Sequence, residues 1–346
     1  MPLPFTDRRV LLTGAGGSIG SAMAQCILRQ KPRALVLLDH SEANLHQLSV
    51  LLAASTEPPC YSVWLGDVSE EALLAEIFDD EQPEIVLHAA AYKHVPLMES
   101  QVLAAVRNNA LGSNQLAKMA AAYGAETAVM VSTDKAVEPR SVMGASKRVA
   151  ELALLRWSTP QTAMRAVRLG NVLGSQGSVV PAFLQQIALG GPVTVTHPEA
   201  NRFFFRMEET VELITAGVAL AGESGIYIPQ PREPVRILDL AQRLIREHGQ
   251  GRKISVEITG LRPGDKLAEV FFSRNETVSD GPESILLRID GPTPPDKEFD
   301  MAMESLRQNA EERDVAGVLD ALCRLVPDYR PSQTALASRN QQEHFR

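Results

Sequence analysis

The sequence predicts an α/β protein: a doubly wound parallel sheet with a smaller α/β region toward the C-terminus. Three observations predict it. Apolar strand-like runs alternate with helix-period segments through the first half of the chain. A glycine-rich turn, Thr13-Gly14-Ala15-Gly16-Gly17-Ser18-Ile19-Gly20, joins the first such strand to the first helix. An acid, Asp39, closes the second strand.

The elements follow in order. Strands are expected at Arg9–Thr13, Ala34–Leu38, Tyr61–Leu65, Ile85–His88, Thr127–Ser132 and Ala163–Leu169, each a short run of the kind buried on both faces. Between them the spacing predicts helices over Ile19–Gln30, Glu42–Ala54, Glu70–Phe78, Val102–Tyr123 and Gly144–Trp157. Ile19, Met23, Ile27 and Leu28 fall on one face of the first helix. Right-handed crossovers turn this rhythm into an open wound sheet. After Gly170 the rhythm loosens. Helices are expected at Val180–Leu189, Glu208–Ala221 and Ile237–Glu247, and strands at Ile226–Pro229 and Ile254–Ile258. A turn at Leu261–Asp265 follows, then prolines at Pro292–Pro295 and helices around Phe299–Gln308 and Val315–Val326. The polar segment 331–346 is expected to be a disordered tail.

Composition excludes several classes. With 346 residues, 45% hydrophobic and 22% charged, the chain is an ordinary globular protein. A net charge of −8 and the lack of any basic run argue against a nucleic-acid partner. Cys26, Cys60 and Cys323 are isolated, and the seven histidines form no ligand pattern, so no metal is expected. The opening MPLPFTDRRV has no apolar core, so no signal peptide is expected. No apolar run reaches the roughly 20 residues that cross a bilayer. The expectation is a cytoplasmic protein without a membrane partner.

The glycine turn defines a cofactor site. Gly14 permits the tight turn, Gly17 lets backbone approach a pyrophosphate, and Gly20 lets helix pack on strand. Ser18 and Ile19 open the helix whose N-terminus faces the anion. Asp39 stands about 20 residues further on, where a carboxylate binds the ribose hydroxyls and repels a 2′-phosphate. His40 and Ser41 follow it instead of Arg, which favours NAD over NADP. Asp67 and Val68 would reach the adenine, and Ala89 and Ala91 would line the nicotinamide side. Residues 1–170 thus read as an NAD-binding Rossmann domain, with 207–229 returning to it. Residues 171–206 and 230–330 read as the substrate-binding region.

The chemistry is carried by Val131–Lys147. Thr133 and Lys147 stand where a short-chain dehydrogenase keeps its Ser/Thr and its Lys, but the position of its Tyr, four residues before the Lys, is Met143. A thioether moves no proton. The adjacent Asp134 and Lys135 can, and an acid beside a base at a strand mouth suits an elimination. Desolvation is expected to bring a lysine there toward neutrality.

On these residues the chain resembles the UDP-N-acetylglucosamine 4,6-dehydratases, in the polysaccharide-biosynthesis branch of the extended short-chain dehydrogenases. The words that carry the resemblance are TGAGGSIG (13–20), HAAAYKHVPLME (88–99), NNALGS (108–113), VSTDKAV (131–137) and MGASKRVAE (143–151). RLGNVLGSQGSVVP (168–181), GGPVTVTHP (190–198) and ITGLRPGDKL (258–267) complete them, over most of residues 8–270. The resemblance implies a catalytic unit without the membrane-spanning portion many members carry. It implies a redox-neutral cycle in which a hydride leaves C4 of a hexose, water is lost across C5 and C6, and the hydride returns at C6. Lys135 is then the C5 base, Asp134 the C6 acid, Thr133 the C4-hydroxyl ligand and Lys147 the NAD-holding lysine. Asp134 or a bound water is the candidate acceptor of the C4-hydroxyl proton.

Substrate contacts carry over to Lys93, Asn171, Ser178, Arg202 and the pyrophosphate-clamping Arg262, since a guanidinium suits bidentate binding. The chain departs from the family at Arg206, where a small hydroxyl residue is usual, and at Ala268, where Tyr is usual. Both departures put the sugar in question, with Arg206 expected to face it. The partners expected are a UDP-sugar and a second copy of the chain, paired through the helices 102–123 and 144–157. A sugar-nucleotide 4-epimerase shares the C4 oxidation but has no use for an Asp–Lys pair. A non-catalytic NAD-binding protein has no use for the retained Thr133, Asp134, Lys135 and Lys147.

Overall fold

The computed structural model describes residues 3–54, 60–220, 222–281, 285–293 and 296–341, excluding the side chains of 339–341. The first half alternates as the apolar periods require: β1 (Arg9–Thr13), α1 (Ser18–Arg29), β2 (Ala34–Asp39), α2 (Glu42–Ala53), β3 (Tyr61–Leu65), α3 (Glu71–Glu81) and β4 (Ile85–His88). Then come α4 (Val95–Ser100) and α5 (Val102–Ala105), which runs through a π-helical stretch, Val106–Gly112, into α6 (Ser113–Ala122). β5 (Thr127–Thr133), a 3₁₀ turn (Asp134–Ala136), α7 (Val142–Arg156) and β6 (Ala163–Leu169) complete the unit. Starts are set by capping side chains: Ser41 accepts from the Asn44 amide, and Ser141 from the Gly144 amide.

The second half holds β7 (Asn171–Val172), α8 (Val179–Ala188), β8 (Val193–Val195), β9 (Asn201–Arg202), β10 (Phe204–Phe205), α9 (Met207–Ala219) and β11 (Gly225–Pro229). It continues with β12 (Val235–Arg236), α10 (Ile237–His248), β13 (Val256–Ile258), β14 (Thr277–Asp280), β15 (Leu286–Asp290), α11 (Asp296–Glu311), α12 (Val315–Leu325) and α13 (Gln333–Gln341).

Among the described residues the main sheet has nine strands in the order β14-β15-β11-β6-β5-β4-β1-β2-β3. The seven strands from β11 to β3 are parallel, and β15 and β14 add an antiparallel edge. The strand order reverses between β1 and β4, which pair in register from Val10–Ile85 to Thr13–His88. A crevice opens outside the carboxyl ends of those two strands, where ligands of such sheets bind. β8 and β13 pair in parallel in a separate small sheet. Phe183, Ile187, Val193, Val195, Ile237, Ala241 and Leu244 bury together around it.

Three expectations need correction. Residues 277–290, expected in the substrate region, extend the main sheet instead, because Leu286 and Ile289 bury in its core. Helices α11 and α12 also leave that region and pack on α5, the π-helical stretch and α7. Phe299, Met303 and Leu306 recur at helical spacing, as do Val315, Val318, Leu319 and Leu322, and all bury against Val106, Val149 and Leu152. Each large side chain so covered contributes roughly 1.5–3 kcal/mol. In the two helical segments expected to pair across a dimer, the outer faces of 102–112 and of α7 are therefore covered by the chain itself.

The third correction is the tail. It carries α13, capped by Ser332, whose hydroxyl accepts from the Ala335 amide and donates to Glu99. Polar composition hid this helix, whose buried residue Ala335 joins the core formed with Tyr329. Residues 342–346 of the expected tail, and Pro294–Pro295, lie outside the described residues.

Candidate active site

The turn after β1 takes the shape its glycines allow. Gly14 sits at φ +66°, and a Cβ there would lie 2.5 Å from the Ala90 nitrogen, so the β1 and β4 termini approach only through glycine. The first turn of α1 has no side-chain cap, which leaves its amides for an anion. Asp39 is 5% exposed; its Oδ2 accepts from the Gly16 amide and its Oδ1 from the Ser41 amide, both at 2.9 Å. The carboxylate is thus fixed at the rim. Gly14, Gly17, Ser18, Ile19, Gly20, Asp39, Asp67, Val68, Ala89 and Ala91 together line one groove of about 460 Å³. The residues present fit a dinucleotide: uncapped helix amides for the pyrophosphate, a fixed acid for the ribose.

A second cavity of about 490 Å³ adjoins the first and shares Ala89, Ala91, Lys93 and His94 with it. Thr133, Lys135, Met143 and Lys147 line its floor. Gly144 lets α7 come this close to the 3₁₀ turn, since a Cβ there would overlap the Lys135 carbonyl. Lys147 is 3% exposed. Burial pulls its ammonium down to about 8, with the Glu151 carboxylate opposing. Met143, also buried, shares its face one turn earlier and offers the cavity no proton.

Thr133, Asp134 and Lys135 converge on one atom. The Thr133 hydroxyl donates to Asp134 Oδ1 at 3.0 Å, and Lys135 Nζ donates to the same oxygen at 2.9 Å. Asp134 is fully buried, stands behind the cavity wall, and its Oδ2 has no partner among the described residues. Lys135 Nζ also donates to Asn171 Oδ1 at 3.2 Å. Desolvation pulls the Lys135 ammonium down, but Asp134 and Glu269 outweigh it and hold the lysine above its usual value. The expected drift toward neutrality is therefore reversed, because a carboxylate lies on each side of the amine.

The other predicted contacts divide. Lys93, Asn171, Ser178, Arg202 and Arg262 all line the second cavity. Lys93 Nζ donates to the Gln176 carbonyl at 2.6 Å, while the Gln176 amide donates to Ser18 Oγ at 3.0 Å, so loop 175–177 is stitched across the junction of the two cavities. Ser178 is the N-cap of α8, with its hydroxyl buried and without a partner among the described residues. Arg202 is nearly buried, and Arg262 pairs with Asp265 at 2.8 Å beside the opening. Arg206 is not brought to the site. Its side chain is 71% exposed and pairs with Glu209, because residue 206 caps α9 on the outside. Ala268 is exposed and likewise absent from the cavity wall.

Sequence reasoning missed His94, Gln186, Thr194, Thr196 and Thr259, which also line the second cavity. It also missed Glu269, buried behind Lys135, although it follows the quoted GDKL word by two residues. Beneath the floor lies a further network. Arg168, fully buried, binds Glu151 at 2.9 Å and Glu276 at 2.7 Å, and Ser132 donates to Glu151. His88 lies between Thr13 and Ser113, and burial drops its imidazole to about 3.

The paired cavities on a wound parallel sheet, with Lys147 on the floor of the second, place the molecule among the extended short-chain dehydrogenase/reductase-type enzymes. More narrowly, the chain belongs to the polysaccharide biosynthesis protein family, whose sequence model matches residues 10–288. The capsular polysaccharide biosynthesis protein CapD of Staphylococcus aureus is 42% identical over 276 residues, which cover 79% of this chain and 46% of CapD. The chain thus spans about half the length of that relative. At 28% identity stand a UDP-N-acetylglucosamine 4,6-dehydratase (inverting) of Campylobacter jejuni and a UDP-glucose 4-epimerase of Rickettsia akari, each over 79% of this chain and 80% of its own length. Among solved structures, Pen from Bacillus thuringiensis superposes with a TM-score of 0.77 at 28% identity, covering 83% of this chain and 89% of Pen. Among the described residues no helix is long and apolar enough to cross a membrane.

Proposed function

We propose that this protein is an NAD-dependent 4,6-dehydratase of a UDP-N-acetylhexosamine, UDP-N-acetylglucosamine first, serving polysaccharide or glycoconjugate synthesis. One observation carries the reading. Thr133 and Lys135 share Asp134 Oδ1 at the floor of the second cavity, beside Lys147, with Met143 where a tyrosine would move the proton. A carboxylate that touches both a substrate-binding hydroxyl and an amine suits an elimination.

NAD, bound in the first groove, would accept the C4 hydride and return it at C6. The remaining work falls to the chain. Thr133 Oγ1 binds the C4 hydroxyl and passes its proton to Asp134 Oδ1. Lys135, as the free amine, removes the C5 proton that the C4 ketone has acidified. Asp134, behind the cavity wall, returns its proton through the Thr133 hydroxyl to the departing C6 hydroxyl, which leaves as water. Lys135 then gives its proton back to C5 as C6 is reduced. Lys147 positions the nicotinamide ribose, and loop 175–177 keeps water from the junction. Arg202 and Arg262 bind the diphosphate, and Lys93, Asn171 and Ser178 meet the sugar nucleotide. A homo-oligomer belongs to the same reading, through a surface other than the face that α11 and α12 cover.

The test is to incubate the purified protein with UDP-N-acetylglucosamine in deuterated water and follow products by mass spectrometry and proton NMR. Loss of one water without added NAD, with deuterium at C5, is expected. Interconversion at C4 without loss of mass would instead establish an epimerase. A protein that binds NAD and leaves every nucleotide sugar unchanged would be a binding protein. Asp134→Asn and Lys135→Met should each abolish water loss while leaving NAD binding intact.

A further inference from the structure

The cluster around Lys135 contains a carboxylate that no step above uses. Glu269 is 5% exposed and forms no part of either cavity wall. Three cations surround it: Lys266 Nζ at 3.1 Å, Lys135 Nζ at 3.8 Å and Arg202 Nε at 3.9 Å. Lys266 is itself anchored, donating to the Val137 carbonyl at 2.6 Å. A buried acid is retained when it is paired, and this one is paired from the 3₁₀ turn, from β9 and from its own loop.

We propose that Glu269 is a positioning residue that sets the proton affinity of Lys135 from behind the cavity. The inference rests on the dehydratase reading above and deepens it. Removing hydrogen from carbon asks for a strong base, and the strength of an amine rises with the negative charge held beside it. The groups that face Lys135 are Asp134 from its own turn, Asn171 from β7, Arg202 from β9, and Glu269. Asp134 is committed to shuttling a proton between C4 and C6, so its charge comes and goes during the cycle. Glu269 lines neither cavity and takes no part in that proton transfer. It therefore holds Lys135 strongly basic at the moment when Asp134 is neutral.

The experiment titrates Lys135 directly. The holoenzyme is pulse-acetylated from about pH 8 to about pH 12, a range that extends past an amine held above its usual value, and acetylation at Lys135 is read by peptide mass spectrometry. Glu269→Gln should lower the labelling midpoint by about 1 pH unit, roughly tenfold in free amine at fixed pH. Glu269→Asp, which keeps the charge, should stay near the wild type. The double variant Lys266→Met/Glu269→Gln removes a cation with the anion; it should fold where Glu269→Gln does not, and it should show the same downward move. In the active enzyme the alkaline limb of the dehydration rate should move with the midpoint, while its plateau falls because the base is weaker.

An unchanged midpoint in a folded variant overturns the proposal, whatever the reaction. A midpoint that moves while the rate limb stays fixed overturns the assignment of that effect to the reaction. A midpoint that moves in a protein inert toward UDP-N-acetylglucosamine upholds the Glu269–Lys135 coupling and sinks the dehydratase reading instead.

Discussion

Replacing Lys147 with Met should make the cofactor-free protein more stable at neutral pH while ending its activity. Lys147 lies 3% exposed on α7, and burial lowers its ammonium from 10.5 to about 8. Below about pH 8 the lysine is charged in both folded and unfolded chains, and the folded state carries the whole cost of desolvation. Between about 8 and 10.5 only the unfolded chain keeps the proton, so stability rises with pH. Above 10.5 the amine is neutral in both states and the cost is gone. The gap of about 2.5 pH units corresponds to roughly 3 kcal/mol. Methionine has nearly the same shape without the charge, so little packing is lost. Urea unfolding of both proteins without cofactor should show the variant ahead by about 2–3 kcal/mol at pH 7, and the lead should shrink toward pH 10. A variant less stable than the wild type at pH 7, or a lead independent of pH, would refute the argument.

Three further outcomes are expected. Gly14→Ala forces a methyl to within 2.5 Å of the Ala90 nitrogen at φ +66°, so calorimetric titration should find NAD binding lost and the melting temperature lowered. Arg168→Met leaves the buried Glu151 and Glu276 to share Arg148 and should cost about 3–5 kcal/mol in denaturant unfolding. Arg206→Thr, at an exposed residue paired with Glu209, should leave kcat/KM for the nucleotide sugar within about twofold, whereas Arg262→Ala at the opening should raise KM about tenfold or more.

The parallel sheet and its cofactor groove were legible because period and spacing encode them directly. Strands buried on both faces read as continuous apolar runs, and the glycines of the first turn occupy positions that only one backbone path satisfies. Thr133, Lys135, Met143 and Lys147 were equally legible, since strand end and helix start fix their separation. The C-terminal half was not. β14 is exposed along its whole length and carries no apolar alternation. The helical spacing of α11 and α12 shows that they bury a face, but nothing local says which surface receives it. Arg206 was placed on the sugar because it follows a substrate-side word; one residue decides whether a side chain faces in or out, and Phe205, its neighbour, takes the buried side. Glu269 was overlooked because a buried acid and a solvated one look alike until the cations around it are assembled.

The C-terminal helices have a consequence for the catalytic floor. Glu99 is fully buried, with one carboxylate oxygen accepting from the Val142 amide at 2.6 Å and the other from the Ser332 hydroxyl. The first of those bonds caps the start of α7, the helix that carries Met143 and Lys147; the second ties that cap to the segment leading into α13. Burial pushes the Glu99 carboxyl up, and the two hydrogen bonds oppose that rise. A carboxylate in that position needs both partners, and the second comes from beyond residue 288, where the family match ends. The terminal helices thus do more than cover an apolar face: they supply the donor that completes the cap on which the placement of Lys147 depends.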